Sequence, residues 1–303
     1  FTNTGTTPAN FLSANPHFCK SALARYTPEH FIAMVDAHGI AWHEKELGQL
    51  FCDDSSKQIV AMLLAECADA GVRVDVSCSV DSVAALPGGG FRIATSLGTE
   101  VVESLVVASG GLSIPSMGAT GFGYELARQF GHAVLPTRAG LVPLTLSGKH
   151  QEHYAELAGV AFPVEARCGK ASFRNAMLVT HRGLSGPAIL QISSYWEPGK
   201  ELLLDLLPER DIQAWLLERQ AAKPAAELKT VLAEAFPQRF AQRLCEVWFT
   251  SKPMRQYTHN ELPAIARLLA HWPIVASGTE GYRTAEVTLG GVDTDGLSSA
   301  TLA

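Results

Sequence analysis

A glycine-rich stretch behind an apolar run is the strongest sign of chemistry in this sequence. The run is Leu105–Ala108, and residues 110, 111, 118, 121 and 123 are glycines. A short β-branched run bounded by glycines is typical of a strand buried on both faces of a parallel sheet. A helix is expected next, over Tyr124–Phe130. Because a strand, a glycine loop and a helix bring backbone N–H groups to phosphates, we predict a nucleotide or flavin site here.

A second glycine segment lies far away along the chain. Residues 285–292 read AEVTLGGV, a strand pattern that runs into Gly290 and Gly291. One glycine loop alone is explained by the freedom that glycine gives a turn. Two strand–glycine units at separate places favour a cofactor site over that simpler explanation.

The segment Thr180–Pro187, THRGLSGP, is the third candidate. We expect Ser185 to cap a helix over Ser185–Trp196, with Pro187 in its first turn, so that the positive helix end faces a site. His181 and Arg182 beside it suit a site that binds an anion or polarises a carbonyl. A well-capped helix with a surface His–Arg pair explains the same residues equally well.

Cys52 is a candidate proton donor, because it follows a predicted strand and a thiol can supply a proton when a double bond is reduced. Unpaired cysteines are more often small buried apolar residues, and we favour that explanation. The six cysteines are scattered, without a Cys-x-x-Cys pair or a partner histidine at ligand spacing. The sequence therefore predicts no metal site and a reduced, cytoplasmic environment.

The composition indicates a folded chain. Its 303 residues are 47% hydrophobic, enough for one large domain or two ordinary ones. No apolar run approaches the roughly 20 residues that a membrane helix needs, and we predict no membrane partner. The net charge of −6 gives no general attraction to nucleic acid. Binding of RNA would therefore require a local basic patch.

Local patterns predict two kinds of architecture along the chain. Before residue 136, an amphipathic helix over Ser55–Ala70, an alternating strand over Val72–Leu86 and a hairpin partner over Phe91–Ser96 lead to the buried strand. Between about Pro136 and Ala276, antiparallel strands precede a cluster of helices. This order predicts a nucleotide domain that is interrupted by an inserted domain.

These segments resemble the BaiN/YhiN-like flavoproteins, a family of NAD(P)/FAD-dependent oxidoreductases. The resemblance runs the whole length and is carried by FTN at the start, VVASGGLSIPSMGATGFGYELA, THRGLSGPAILQIS and GTEGYRTAEVTLGGVD. It implies an α/β fold, with a glutathione-reductase-like FAD domain and an inserted β-barrel plus helical subdomain. The domains expected are 1–136 (FAD-binding, part), 137–276 (insert) and 277–303 (return to the FAD domain).

The resemblance also implies that two family segments lie outside this sequence, so that we expect an excerpt that binds FAD poorly. These are the G-x-G-x-x-G strand before Phe1 and a closing FAD segment after Ala303. The residues that it assigns to FAD are Thr2, Asn3, Val80, Gly110, Gly111, Gly118, Thr120, Gly121, Thr288, Gly290 and Gly291. Position 122 is Phe where many relatives carry Asp, which removes a polar role there.

The family's chemistry is the reduction of an activated C=C bond by NAD(P)H through FAD. Its associated substrates are a steroid-type enone and a uridine of large-subunit ribosomal RNA, which becomes dihydrouridine. Because several segments look most like the YhiN branch, we favour the RNA, or a precursor particle, as partner. A small enone-type molecule is the alternative substrate, and a non-catalytic flavoprotein-like binding module is the alternative without turnover.

The resemblance implies catalytic and binding roles for the candidate residues. His181 and Ser185 are expected to face the flavin and polarise a carbonyl, with Cys52 or Tyr282 as proton donor. A basic stripe for RNA is expected around the strands of the insert, formed by Arg167, Lys170, Arg174 and Arg182.

Overall fold

The computed structural model of the protein describes residues 1–302, and the chain divides into two compact units. The first unit holds Phe1–Ala108, Phe122–Leu135 and the residues from Val292 onward. The second unit holds Ser109–Gly121 and Pro136–Gly291. The division into 1–136, 137–276 and 277–303 stays a prediction.

The first unit contains two small antiparallel sheets and four helices. Its elements are β1 (Thr2–Asn3), α1 (Cys19–Arg25), α2 (Pro28–Ala37), β2 (Trp42–Glu44), β3 (Gln49–Cys52), α3 (Lys57–Asp69), β4 (Val80–Ala85), β5 (Phe91–Thr95), β6 (Gly98–Val102) and α4 (Phe122–Gln129). The sheets have the strand orders β1-β3-β2 and β4-β5-β6.

Several local predictions for this unit are confirmed. Helix α2 begins at Pro28, where a missing N–H costs no hydrogen bond. The expected hairpin is β4–β5, and its turn ends at Gly90, where φ is +82° and a Cβ would lie 2.6 Å from the carbonyl oxygen of Val102. Glycine is therefore required at this position.

One predicted strand is wrong, and the strand predicted over Val72–Leu86 is shorter than expected. Leu105–Ala108 forms no strand, and the side chains of Val106 and Val107 are 85% and 49% exposed. The alternating residues Val72–Val76 are likewise outside the sheet, which begins at Val80. An apolar run becomes a strand only where another strand satisfies its backbone groups, and none of the described strands pairs with either run.

The second unit is built on a seven-stranded sheet. Its elements, with two strands that extend into the first unit, are β7 (Val134–Gly140), β8 (Leu144–Thr145), α5 (Gly148–Ala155), β9 (Ala161–Cys168), β10 (Ala171–Val179), β11 (Gly183–Ser185), α6 (Pro187–Ser193), β12 (Leu202–Asp205), α7 (Ile212–Ala222), α8 (Leu228–Leu232), α9 (Gln238–Val247), α10 (Glu261–Ala270), β13 (Trp272–Ile274), β14 (Gly278–Thr279) and β15 (Val287–Val292). The strand order is β13-β12-β9-β10-β11-β8-β14, antiparallel throughout, and β15 pairs with β7.

One continuous core holds the second unit together. Residues on the inner face of the strands alternate with more exposed ones, as Val164 and Ala166 of β9 show, both fully buried. The rings of Phe162 and Phe240 lie 4.7 Å apart between their centroids and join β9 to α9. The antiparallel strands and helices predicted for this region are confirmed, whereas α5 was not predicted.

Candidate active site

The glycine loop of residues 109–121 is fixed to the second glycine segment by one hydroxyl group. Thr288 Oγ1, on β15, accepts a hydrogen bond from the N–H of Leu112 (2.9 Å) and lies 3.0 Å from Ser113 Oγ. The N–H of Ile114 donates to the carbonyl oxygen of Tyr282 at 2.8 Å. The two glycine segments, some 170 residues apart, therefore lie side by side in the second unit.

The loop has the open backbone that a dinucleotide requires. Gly110 and Gly118 have φ values of +72° and +92°, and a Cβ built on either would meet no atom within 4 Å. Among residues 1–302, the N–H groups of Gly110 and Gly111 donate to no acceptor. Exposed N–H groups on a glycine loop suit phosphate or flavin oxygens, so these residues fit FAD.

The other end of the second glycine segment is closely packed. A Cβ on Gly290 would lie 2.2 Å from the carbonyl oxygen of Pro136, and φ there is +79°. Glycine at 290 is therefore required by the neighbouring strand β7, whatever else binds there. Thr120 and Gly121 lie at the end of the loop, immediately before α4, and Gly291 continues β15.

His181 projects from a tight turn between β10 and β11. The hydroxyl of Thr180 accepts from the N–H groups of Arg182 (3.3 Å) and Gly183 (3.1 Å), and the N–H of Thr180 donates to the carbonyl of Gly183 (2.8 Å). The side chains of His181 and Arg182 are exposed. A rigid turn thus presents two polar side chains to solvent.

Ser185 does not cap a helix, contrary to the prediction. It ends β11, opposite Leu178, and the N-cap of α6 is Gly186, with φ +87°. A Cβ at 186 would lie 2.8 Å from the carbonyl oxygen of Ala176. Because the chain must turn in contact with β10 at this point, only glycine serves as the cap, and Ser185 is left in the strand, half-buried.

The short segment Leu141–Leu146 connects the His181 turn to the glycine loops. On one side, Gly183 lies opposite Thr145 of β8, and on the other side Gly278 lies opposite the same residue. Two strand spacings place Gly183 about 10 Å from Gly278. The N–H of Glu286 donates to Leu141 at 3.2 Å and leads to Thr288. The His181 turn and the second glycine segment therefore bond to opposite ends of the same segment, Leu141–Leu146.

The candidates of the first unit have local partners of their own. Asn3 Oδ1 accepts from the N–H of Gly5 (2.7 Å), and its Nδ2 donates to Leu47 (3.2 Å), so this amide orders a turn next to Thr2 in β1. Val80 begins β4 opposite Thr95, at a bulge that leaves its side chain 39% exposed. The described contacts of these residues therefore lie within the first unit.

The two candidate proton donors differ in their surroundings. Cys52 is half-buried at the end of β3, opposite Trp42, and Oδ1 of the following Asp53 accepts a hydrogen bond from Nδ1 of His43 at 2.7 Å. The hydroxyl of Tyr282 donates to Thr137 Oγ1 at 2.9 Å. The Tyr282 proton is therefore already engaged in a hydrogen bond.

The predicted basic stripe is largely neutralised. Arg167 Nη2 lies 2.8 Å from Glu165 Oε2, and Arg174 is paired with Glu209. The hydrogen bond from Arg167, with another from Ser172, lowers the pKa of Glu165 to about 2. Lys170 and Arg182 lie beyond opposite ends of the nine-residue strand β10, about 30 Å apart. The four residues therefore do not form one stripe.

The family resemblance indicated Thr288 as an FAD residue, but the sequence gives no sign of its contacts with Leu112 and Ser113, because a hydroxyl in a strand pattern carries no signal of its partner. Ile114 adopts φ +55° immediately before Pro115, whereas residues before proline are normally extended. Among residues 1–302, no group of His, Cys, Asp and Glu side chains is arranged to hold a metal ion. No helix in the same range is long and apolar enough to cross a membrane.

The chain is a mixed α/β protein with a seven-stranded antiparallel sheet, a cluster of helices and two adjoining glycine segments, and these features define its class. The family described as "HI0933-like protein barrel and H2TH domain" matches residues 138–287, which span the sheet and the helices of the second unit. The chain belongs to this HI0933-like, or BaiN/YhiN, family of oxidoreductase-type enzymes.

Three characterised relatives share this similarity. The ribosomal RNA dihydrouridine synthase of Escherichia coli (strain K12) is 50% identical over 305 residues, covering 100% of this chain and 76% of that protein. The protein of the same name from Haemophilus influenzae is 43% identical over 312 residues, with the same coverage. The 3-dehydro-bile acid delta(4,6)-reductase of Clostridium scindens is 28% identical over 268 residues, covering 82% of this chain and 64% of that protein.

Proposed function

We propose that this protein is a flavin-dependent oxidoreductase that reduces a uridine of large-subunit ribosomal RNA to dihydrouridine with NAD(P)H. The observation that carries the proposal is the 50% identity, along the whole chain, to the ribosomal RNA dihydrouridine synthase of Escherichia coli. The polar turn at His181, which is connected to the second glycine segment through Leu141–Leu146, supports it.

FAD and NAD(P)H are the cofactors of this proposal. A glutathione-reductase-like FAD domain, with the second unit's sheet and helices as its insert, is the proposed fold. The unpaired N–H groups of Gly110 and Gly111 and the open space beside Gly118 support FAD at the glycine loop. The remaining proposed contacts are Thr2, Asn3, Val80, Thr120, Gly121, Thr288, Gly290 and Gly291.

Bound FAD would supply the hydride that NAD(P)H provides, and the chain's own side chains would prepare the substrate. A ring N–H of His181 donates a hydrogen bond to the uracil carbonyl that is conjugated with the double bond. This contact draws electron density away from the C=C bond and stabilises the negative charge that develops on the oxygen. Ser185, at the end of the adjoining strand β11, is the second proposed polarising group, and Cys52 is the proposed donor of the proton to the second carbon.

The deciding experiment is mass spectrometry of large-subunit ribosomal RNA from cells with and without the gene. We expect the loss of one dihydrouridine in the absence of the gene, because no other reductase would then act at that uridine. An unchanged dihydrouridine content would contradict the proposed substrate.

The role of His181 is tested in the same cells by complementation and then with purified full-length protein. His181→Ala should lower turnover about 100-fold or more, the usual contribution of a polarising or acid–base group. His259→Ala, an exposed histidine in the helical cluster of the second unit, is the matched control and should retain activity. Equal turnover of the two variants would remove His181 from the mechanism.

A small enone is the second candidate substrate. It is favoured by the similarity to the bile acid reductase of Clostridium scindens, at 28% identity. If the ribosomal RNA is unchanged by loss of the gene, oxidation of NAD(P)H in the presence of a steroid-type enone is the assay to use. Turnover there would establish the alternative.

A further inference from the structure

We propose that helix α5 and the neighbouring turn form the surface that holds the RNA backbone beside His181. This α5 ridge consists of Lys149, His150 and Arg182. The inference rests on the proposed function and adds to it a binding surface of which the sequence patterns indicated only Arg182. It places the contacts to phosphate next to the polarising group, instead of along the predicted stripe.

Hydrogen bonds bring α5 and the turn together. The N–H of Leu146 donates to the carbonyl oxygen of Arg182 at 2.9 Å, immediately before α5 begins. Gln151, in the first turn of α5, has its Nε2 3.5 Å from the carbonyl oxygen of His181. The helix therefore starts beside Arg182 and lies along the His181 turn.

The far end of α5 is held by α9. Arg243 donates from Nε to the carbonyl of His153 and from Nη2 to that of Glu152, both at 3.0 Å, and Arg239 donates to the carbonyl of Glu156. These arginines satisfy carbonyl groups that a helix end leaves unpaired. A helix fixed at both ends keeps its exposed side chains in constant register with the turn.

The cations of the ridge differ from most others in the second unit. Among residues 1–302, neither Lys149 nor Arg182 forms an ion pair, and both are exposed, as is His150. By contrast, the side chains of Arg167, Arg174 and Arg219 are paired with glutamates. Cations without a carboxylate partner bind phosphate without first losing an ion pair.

The acidic groups near the ridge leave it a positive excess. Glu152 is the acidic residue in the body of α5, whereas Glu156, at its end, lies 3.5 Å from Arg243. The two positive charges of Lys149 and Arg182 therefore exceed the one negative charge, on Glu152, that is not neutralised. This local excess explains how a chain with a net charge of −6 would attract RNA.

RNA is the partner that this arrangement suits. A uracil must leave its base stack before a side chain can contact its carbonyl, and the backbone on either side must then be held. Cations beside the polarising turn provide that hold. They contribute affinity for the backbone and no selection of sequence.

The test compares Lys149→Ala/Arg182→Ala with Lys170→Ala in the full-length protein. Lys170 is the matched control, because it is an exposed lysine without an ion pair among the described residues and lies beyond the other end of β10. The probe is a fragment of large-subunit ribosomal RNA that contains the modified uridine. Binding is measured over a range of KCl concentrations, and the melting temperature of each variant reports on folding.

We expect the double variant to bind RNA about tenfold more weakly and its salt slope to fall by about 1.4, since each phosphate contact on single-stranded RNA contributes about 0.7. Its KM for RNA should rise with little change in kcat, and its melting temperature should match that of the control. Equal RNA affinities and equal salt slopes in the double variant and Lys170→Ala would contradict the proposal that the α5 ridge binds RNA. If the unaltered protein neither binds nor modifies the RNA, the proposed function itself fails.

Discussion

The two units of the chain bury apolar side chains to very different extents. In the second unit a single cluster runs from Leu144 to Ile274 through the seven-stranded sheet and its helices. In the first unit the corresponding cluster consists of Val35, Ile40 and Met62, with partly buried neighbours. Large apolar residues such as Val76 and Val106 remain 78% and 85% exposed there.

Because of this difference, the first unit depends mainly on local contacts for its stability, whereas the second unit depends on a shared core. Small elements such as the β4–β5 hairpin form from local turns and cross-strand pairs, each of which contributes little free energy. A continuous core adds a transfer free energy of about 25 cal/mol for each Å² of apolar surface removed from water. The second unit therefore carries most of the stability of the described chain, and the first unit has the lower resistance to local opening.

The largest expected effect is in the core of the second unit. Phe240→Ala removes a ring that is 1% exposed and lies against Phe162 and Phe236. We expect a loss of about 3–5 kcal/mol in the free energy of unfolding, because burial is lost and a cavity remains. Val76→Ala in the first unit should change it by less than about 0.5 kcal/mol. The free energy of unfolding of both variants is measured in urea. Similar losses in the two variants would contradict the difference between the two units.

A smaller effect is expected in the core of the first unit. Met62→Ala, at a position 3% exposed on α3, should cost about 2 kcal/mol, at the low end for such a change, since the small cluster can collapse around the gap. Hydrogen exchange should accelerate in α2 and α3 and stay unchanged in β9 and β12. Equal acceleration in the strands of the second unit would contradict separate stabilities.

The smallest expected effect concerns a surface ion pair of the second unit. The pKa of Glu165 is lowered from 4.5 to about 2, mainly by its hydrogen bond from Arg167. A carboxyl with a lowered pKa in the folded state stabilises the protein above pH 4.5, and this contribution is lost as the pH falls towards 2. Glu165→Gln should remove it, at a cost of at most about 1 kcal/mol at pH 7. Urea midpoints at pH 6 and pH 2 should converge for the two proteins at the lower pH, and a constant difference would exclude this role.

The sequence alone was sufficient for features that depend on neighbouring residues. Pro28 marks the start of α2, glycines around residue 89 mark the β4–β5 turn, and alternation marks β9 and β10. The long segments around residues 110, 181 and 288 were sufficient to place the chain in its family. In each case the information lies within a few residues or within a contiguous motif.

Only the tertiary structure decided which distant groups meet. The bond between Thr288 and the N–H of Leu112 joins residues 176 positions apart, and Leu105–Ala108 stays out of any sheet because no described strand pairs with it. Gly186, rather than Ser185, caps α6 because the chain there touches β10. Ion pairs with Glu165 and Glu209 neutralise Arg167 and Arg174 of the predicted stripe, while Lys149 and Arg182 have no ion pair among the described residues. Strand pairing and the neutralisation of charges depend on which surfaces pack together. Local sequence patterns do not contain that information.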